Sequence, residues 1–160
     1  MAAEKPQFDV INLMPSFIIG KNELVTDPSH ITRGSNRVVM AGLLGENITH
    51  PVAGVSVHVD DVARDHILAL QSHVSGNQNY LLSSNGPGGV IFEDAFDIAA
   101  ELFPEAIKAG IFSSRSSIPT FCIKIDTSET EKILDIRFQP FREQVRSVAQ
   151  HYLGLTAAHA

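Results

Sequence analysis

The chain has 160 residues, the length of one ordinary domain, and a chain of that size buries roughly 70% of its unfolded surface. Apolar residues make up 44% and charged residues 19%, which excludes the charge-rich, apolar-poor composition of disorder. Twelve Lys and Arg against 18 Asp and Glu give a formal charge of -6, so nucleic acid and anionic membrane surfaces are excluded as default partners.

Cys122 is the only cysteine, so no internal disulfide can form, and its place within Phe121-Cys122-Ile123 predicts a small buried hydrophobe. Residues Met1 to Pro6 lack the apolar core of a signal peptide. No apolar run reaches the ~20 residues that cross a bilayer. These features together predict a cytoplasmic protein without a membrane partner.

In chain order, Phe8 to Met14 is an apolar run that predicts a buried strand closed by Pro15, which has no N–H for a ladder. Ser16 to Asn36 is punctuated by Gly20, Pro28 and Gly34 and predicts loop. A short helix follows from Arg37 to Leu44, stopped at Gly45. Val52 to Val59 leans to strand. Asp60 and Asp61 then open a helix carrying Val62, Ala63, His66, Ile67 and Leu70, with Asp61 expected to accept the cap bond.

Tyr80 to Leu82 predicts a strand before the turn Asn85 to Gly89, and Phe92 to Phe103 predicts an apolar helix face ended by Pro104. Thr120 to Ile125 is strand-like, and Ser128 to Glu131 matches a capping box for a helix through Leu134. Phe141, Val145, Val148, Tyr152 and Leu155 mark a C-terminal amphipathic helix. Strands alternate with helices and no internal boundary is visible, so the expectation is a single α/β domain over residues 1–160.

Motifs that carry chemistry are sparse. Gly86-Pro87-Gly88-Gly89 lacks the spacing of a phosphate loop, and Gly42 to Gly45 belongs to a helix end. Of the seven His residues, His66 and His73 fall seven apart on one predicted helix, and no set matches a metal motif, so no metal is expected. His58 beside Asp60 and Asp61 is the nearest approach to a base with an orienting carboxylate. Ser113 to Ser117 predicts a polar loop rather than a nucleophile, and helix-dipole stabilisation accounts for Glu129 and Glu131.

Three segments nevertheless resemble one family in the right order. Val10-Ile11-Asn12-Leu13-Met14-Pro15-Ser16-Phe17-Ile18-Ile19-Gly20 resembles the strand and loop after the catalytic helix of extended short-chain dehydrogenases/reductases. Val57 to Ala63 resembles that family's strand running into an Asp-Val-Ala helix start. Ile125 to Leu134 with Phe138 to Phe141 resembles the C-terminal segment of the branch holding dihydroflavonol reductases, cinnamoyl-CoA reductases and fungal aldehyde or ketone reductases. Asp60 stands where sugar-nucleotide epimerases often show Arg, which argues against a nucleotide-sugar substrate.

The resemblance implies the substrate-binding half of that fold, with few strands, flanking helices and an incomplete Rossmann sheet. It places Pro15, Ser16, Phe17 and Ile18 against a nicotinamide ring or substrate. The chain begins after the family's glycine-rich fingerprint and its Tyr-x-x-x-Lys pair. Tyr80 is followed four places on by Ser84 and Tyr152 by Thr156, so neither rebuilds that pair.

The leading expectation is therefore an enzyme of secondary metabolism that uses no cofactor. It would direct cyclisation, isomerisation or dehydration of a small apolar substrate, with His30, Lys21 and His58 as the acid/base groups. NADP enters this reading only if a dimer or partner chain rebuilds the site. The alternatives are a reductase half that needs a separate Rossmann half, and a non-catalytic binding or regulatory module. The unprotected sheet edge predicts a homodimer or a reductase-type partner chain.

Overall fold

The computed structural model describes residues 7–159; the segment compared with a signal peptide lies outside them. Among the described residues, six short strands are interspersed with six α-helices, confirming the α/β class. The strands are β1 (Ile11–Pro15), β2 (Phe17–Ile19), β3 (Val52–Ala53), β4 (Ser56–His58), β5 (Gln78–Leu82) and β6 (Thr120–Phe121). The helices are α1 (Arg37–Leu43), α2 (Val59–Leu68), α3 (Asp94–Leu102), α4 (Pro104–Lys108), α5 (Ser128–Leu134) and α6 (Phe141–Ala158). All pairing is parallel, in three couples: β1 with β5, β2 with β4, and β3 with β6.

Backbone bonds lace the couples together where the strands end. Ser16 N–H donates to the Leu82 carbonyl at 2.9 Å and Ser84 N–H to the Ser56 carbonyl at 2.8 Å, which joins the β1–β5 couple to β4. Val90 N–H donates to Gly54 O at 2.8 Å and Gly54 N–H to Phe121 O at 2.9 Å. These bonds give strand-end amides and carbonyls the partners that burial demands.

The main core forms where α1, α3 and α6 close over β2. Phe92 is fully buried, with the Phe141 ring 5.7 Å away edge-on and Phe17 at 6.3 Å. Of the residues whose spacing marks this helix in the sequence, Phe141, Val145 and Val148 are buried on α6 and Tyr152 and Leu155 are half-buried. Arg142 on α6 clasps Glu101 on α3 through two bonds of 2.6 and 2.7 Å, and this pairing holds the exposed Glu101 carboxyl below its ordinary range.

Several elements differ from the sequence expectation. The first strand begins at Ile11 and runs through Pro15; Phe8 and Val10 precede it and are 67% and 56% exposed. Pro15 is tolerated because β1 has a partner on one side only. The predicted loop from Ser16 hides β2, three residues too short to show a period. The strand predicted over Thr120 to Ile125 shrinks to two residues, and Cys122 is exposed rather than buried. Helix α2 ends at Leu68, so His73 does not share it with His66.

The capping box does not form. Asp126 accepts from Ser128 N–H at 2.9 Å, while Glu131 turns to Phe138 N–H and to Arg137. The cap of α2 is His58, whose Nδ1 accepts the Asp60 N–H at 3.1 Å. Asp61, expected in that role, is buried and accepts from Gln139 N–H at 2.7 Å, from Gln139 Nε2 at 3.1 Å and from Arg64. It thereby anchors the segment entering α6 to α2.

Candidate active site and adjoining clefts

The β1–β5 couple leaves one face open. Side chains alternate along a strand, so Ile11 and Leu13 turn inward beside Tyr80 and Leu82. Val10, Met14 and Leu81 turn outward, 56%, 37% and 41% exposed. Parallel sheets are normally covered on both faces. At the C-terminal end of this face lies a groove of about 220 Å³, walled by Met14, Pro15, Val55, Leu81 and Ile125 and floored by Ser16 and Ser83.

The groove floor is held by hydroxyls. Ser16 Oγ lies 3.2 Å from the Leu82 carbonyl and 3.1 Å from Ser83 Oγ. Thr127 Oγ1 donates to the Ser83 carbonyl at 3.1 Å, and Ser84 Oγ donates to the Ser56 carbonyl at 2.8 Å. Gln144 of α6 then donates from Nε2 to Ser84 Oγ at 2.8 Å. Short side chains thus satisfy the carbonyls left where the strands stop, and they fix the backbone that carries Pro15 and Ser16.

The four residues expected against a ligand divide. Pro15 and Ser16 border the groove. Phe17 is turned into the core against Phe92, and Ile18 borders a different cleft.

That cleft, about 630 Å³, opens beyond the end of β2 between Lys21, Arg33, Asn36, Asp60 and Ser147. A second of about 580 Å³ adjoins it, sharing Lys21, Glu23 and Ser147 and reaching His151 on α6. His151 lies with Nδ1 buried and unpartnered; burial first, then the Lys21 charge, hold its protonation below the ordinary imidazole range. Of the three expected acid/base groups, only Lys21 borders these clefts, paired with Glu23 at 2.9 Å. His58 is buried with Nδ1 engaged in the helix cap, and His30 is exposed at the end of a short 3₁₀ turn. The structure does not bring the three together in either cleft.

Sequence reading passes over Ser83, Ser84, Gln144, Arg33, Asn36, Ser147 and His151, which belong to no motif and meet only through the fold. The described residues hold no group of three His, Cys, Asp or Glu placed for a metal, and no helix long and apolar enough to cross a membrane.

No family model matches the chain. Ketoreductase CTB6 of Cercospora beticola is 34% identical over 157 residues, a match covering 95% of this chain and 43% of that protein. The NAD-dependent epimerase/dehydratase FUM13 of Gibberella moniliformis is 31% identical over 153 residues, covering 86% and 39%. Among solved structures, Gre2 from Candida albicans superposes with a TM-score of 0.68 at 20% identity, covering 97% of this chain and 47% of Gre2. Gre2 in complex with NADPH gives 0.64 at 19% identity, covering 92% and 44%. The chain thus spans less than half the length of the relatives it matches.

These comparisons correct the expectation of cofactor-free chemistry. The relatives are a ketoreductase and an NAD-dependent epimerase/dehydratase by name, and the fold neighbour is solved with NADPH, so the company the chain keeps is nicotinamide-dependent. The physical reason for the error is plain. Absence of a fingerprint from a sequence says what one segment cannot anchor, and says nothing of what it closes over.

Proposed function

Because the chain belongs to the extended short-chain dehydrogenases/reductases and carries their C-terminal half, we propose that it forms the substrate side of a nicotinamide-dependent carbonyl reductase. The substrate is a small, largely apolar ketone or aldehyde of secondary metabolism. The observation that carries this reading is the groove at the end of β1, apolar in its walls and bordered by Pro15 and Ser16.

A bound reduced nicotinamide supplies a hydride to the carbonyl carbon, while the oxygen gains a proton to give the alcohol. The chain's own contribution is positional. Pro15 and Ser16 form a wall whose backbone is fixed by Leu82 and Ser83, and Met14, Val55 and Ile125 exclude water from the reacting carbon. Neither Tyr80 nor Tyr152 has a lysine four places on, so the proton-handling pair is assigned to a dinucleotide-binding half. That half docks against the open face of Val10, Met14 and Leu81 and pairs with the free edge of β1. The reading holds whether that half is covalently continuous with this chain or a separate partner, and self-association of this chain competes for the same face.

The test is a chimera in which this chain replaces the matched region of the Cercospora beticola ketoreductase. The expected result is NADPH-dependent reduction of apolar ketones that neither half gives alone. A soluble chimera that binds NADPH yet reduces no member of an apolar ketone and aldehyde panel would sink the proposal.

A further inference from the structure

We propose that Asn85-Gly86 is a site of covalent self-modification, where the Asn85 carboxamide closes on the backbone and reopens as an aspartyl or isoaspartyl residue. The site stands independently of the reaction proposed above.

A glycine after an asparagine leaves the next amide nitrogen without a side chain to shield it. Asn85 follows the buried pair Ser83-Ser84 and is itself exposed, with Pro87 and Gly88 exposed beyond it. Its carboxamide makes no hydrogen bond among the described residues, and neither does the Gly86 N–H. A Cβ at Gly86 or Gly88 would meet nothing within 4 Å, so the turn is open on its outer side.

The turn is anchored at its ends and loose between them. Ser84 N–H and Oγ both donate to the Ser56 carbonyl at 2.8 Å, and Val90 N–H donates to Gly54 O at 2.8 Å. Among the described residues, the backbone between these anchors is held by Gly89 N–H donating to Gly86 O at 3.2 Å and by the Cys122 thiol 3.9 Å from Gly88 O. Asn85 is left-handed, with φ 65° and ψ 9°, and ring closure needs rotation about its Cα–C bond. No packed side chain and no short bond resists that rotation.

The chemistry needs water alone. Hydroxide takes the Gly86 amide proton, and the nitrogen attacks Asn85 Cγ. The N–Cγ bond forms, the Cγ–Nδ2 bond breaks, and ammonia leaves with a proton from water. Water then opens the cyclic imide at either carbonyl. One opening gives aspartate; the other routes the chain through Cγ and gives isoaspartate. Both add a negative charge, and isoaspartate lengthens the backbone by one methylene beside Ser84.

The other six asparagines are held away from this geometry. Asn22 Oδ1 accepts Leu24 N–H at 3.1 Å, and Asn36 is bonded to Gly20 through both ends of its amide. Asn47 Oδ1 accepts Ser117 N–H at 2.9 Å, while the following Ile48 N–H is taken by the Ser117 carbonyl at 2.8 Å. Asn77 bonds Val10 N–H and Asp9, and Asn12 and Asn79 face each other in the β1–β5 ladder. Each is followed by a residue with a side chain.

The experiment holds the folded 160-residue chain in warm, mildly alkaline buffer and follows each asparagine by peptide mass mapping. An isoaspartate-specific carboxyl methyltransferase with labelled S-adenosylmethionine counts the rearranged product. Asn85 is expected to react about tenfold or more faster than any other asparagine, and Gly86→Ala to slow it by a similar factor. Asn85→Gln should abolish the methyl label, and Asn47→Gln should leave it unchanged. Reaction at Asn85 no faster than at Asn22 or Asn47 overturns the proposal. So does methyl label that survives Asn85→Gln, or a mass gain at Asn85 with no methyl acceptance, which excludes the imide.

Discussion

Replacing Asp65 by alanine is expected to stabilise the protein by roughly 2 kcal/mol at neutral pH and to change little at about pH 4. Asp65 is fully buried on the inner face of α2, and neither carboxylate oxygen has a hydrogen-bond partner. Burial first, and the Asp61 charge one turn earlier second, push its pKa from 3.8 to about 6, against smaller opposing influences of Arg64 and His66. Asp61 is satisfied by Gln139 and Arg64 and has nothing to share.

The direction with pH follows from linkage. Below 3.8 the folded and unfolded chains both hold the proton, and the carboxyl is neutral in each. Between 3.8 and about 6 the unfolded chain has ionised and the folded chain has not, so stability falls as pH rises. Above about 6 the full penalty is in place. A shift of two units corresponds to about 3 kcal/mol, and the packing lost with the carboxyl reduces the net gain to roughly 2. Alanine also has the highest helix propensity. The midpoint of thermal unfolding at neutral pH should therefore rise by about 4–8 °C in the variant. A variant less stable than the parent at neutral pH would mean that Asp65 holds a partner, such as a cation, and that its carboxylate is not orphaned.

Asp65 also shows why the site is only partly legible in the sequence. Nothing in Asp60-Asp61-Val62-Ala63-Arg64-Asp65 tells which carboxylate faces solvent, caps the helix or is buried; that depends on where Gln139 returns, 78 residues after Asp61. The long periodic segments are readable because their apolar spacing is imposed by the core they bury, as with Phe141, Val145 and Val148 on α6. Strands of two or three residues carry no such period, so β2 is invisible and β6 is overestimated in length. The family markers point to the correct half of the correct fold. The hydroxyl seam of Ser83, Ser84, Thr127 and Gln144 joins three segments that no local pattern connects. Lys21 stands out in the sequence for its chemistry, and its surroundings of Arg33, Asn36 and Ser147 come from the fold alone.

A single methyl group added where three backbone segments meet is expected to have a large effect as well. Gly54→Ala is expected to destabilise the protein by on the order of 4 kcal/mol, because three backbone segments cross at this point. Gly54 N–H donates to Phe121 O, and Gly54 O accepts Val90 N–H. A Cβ on Gly54 would overlap the Val90 carbonyl oxygen and stand 2.9 Å from Thr120 Cγ2 and 3.3 Å from Phe121 O. Gly89, at φ +64°, lies so near the Gly54 carbonyl that a Cβ there would overlap its oxygen, so the 86–90 turn and Gly54 are already closely packed. Relief requires separating β3 from β6 or from the 86–90 turn, and either movement disturbs Val55 and Ile125 at the mouth of the groove. Gly110→Ala is the matched control. Gly110 has φ +71°, and a methyl group added there would meet nothing within 4 Å, so only left-handed backbone strain of about 1 kcal/mol applies. Urea unfolding of the two variants separates the causes. If Gly54→Ala costs no more than Gly110→Ala, the three segments are not locked together, and the groove at Pro15 and Ser16 lacks the fixed wall that positioning a carbonyl requires.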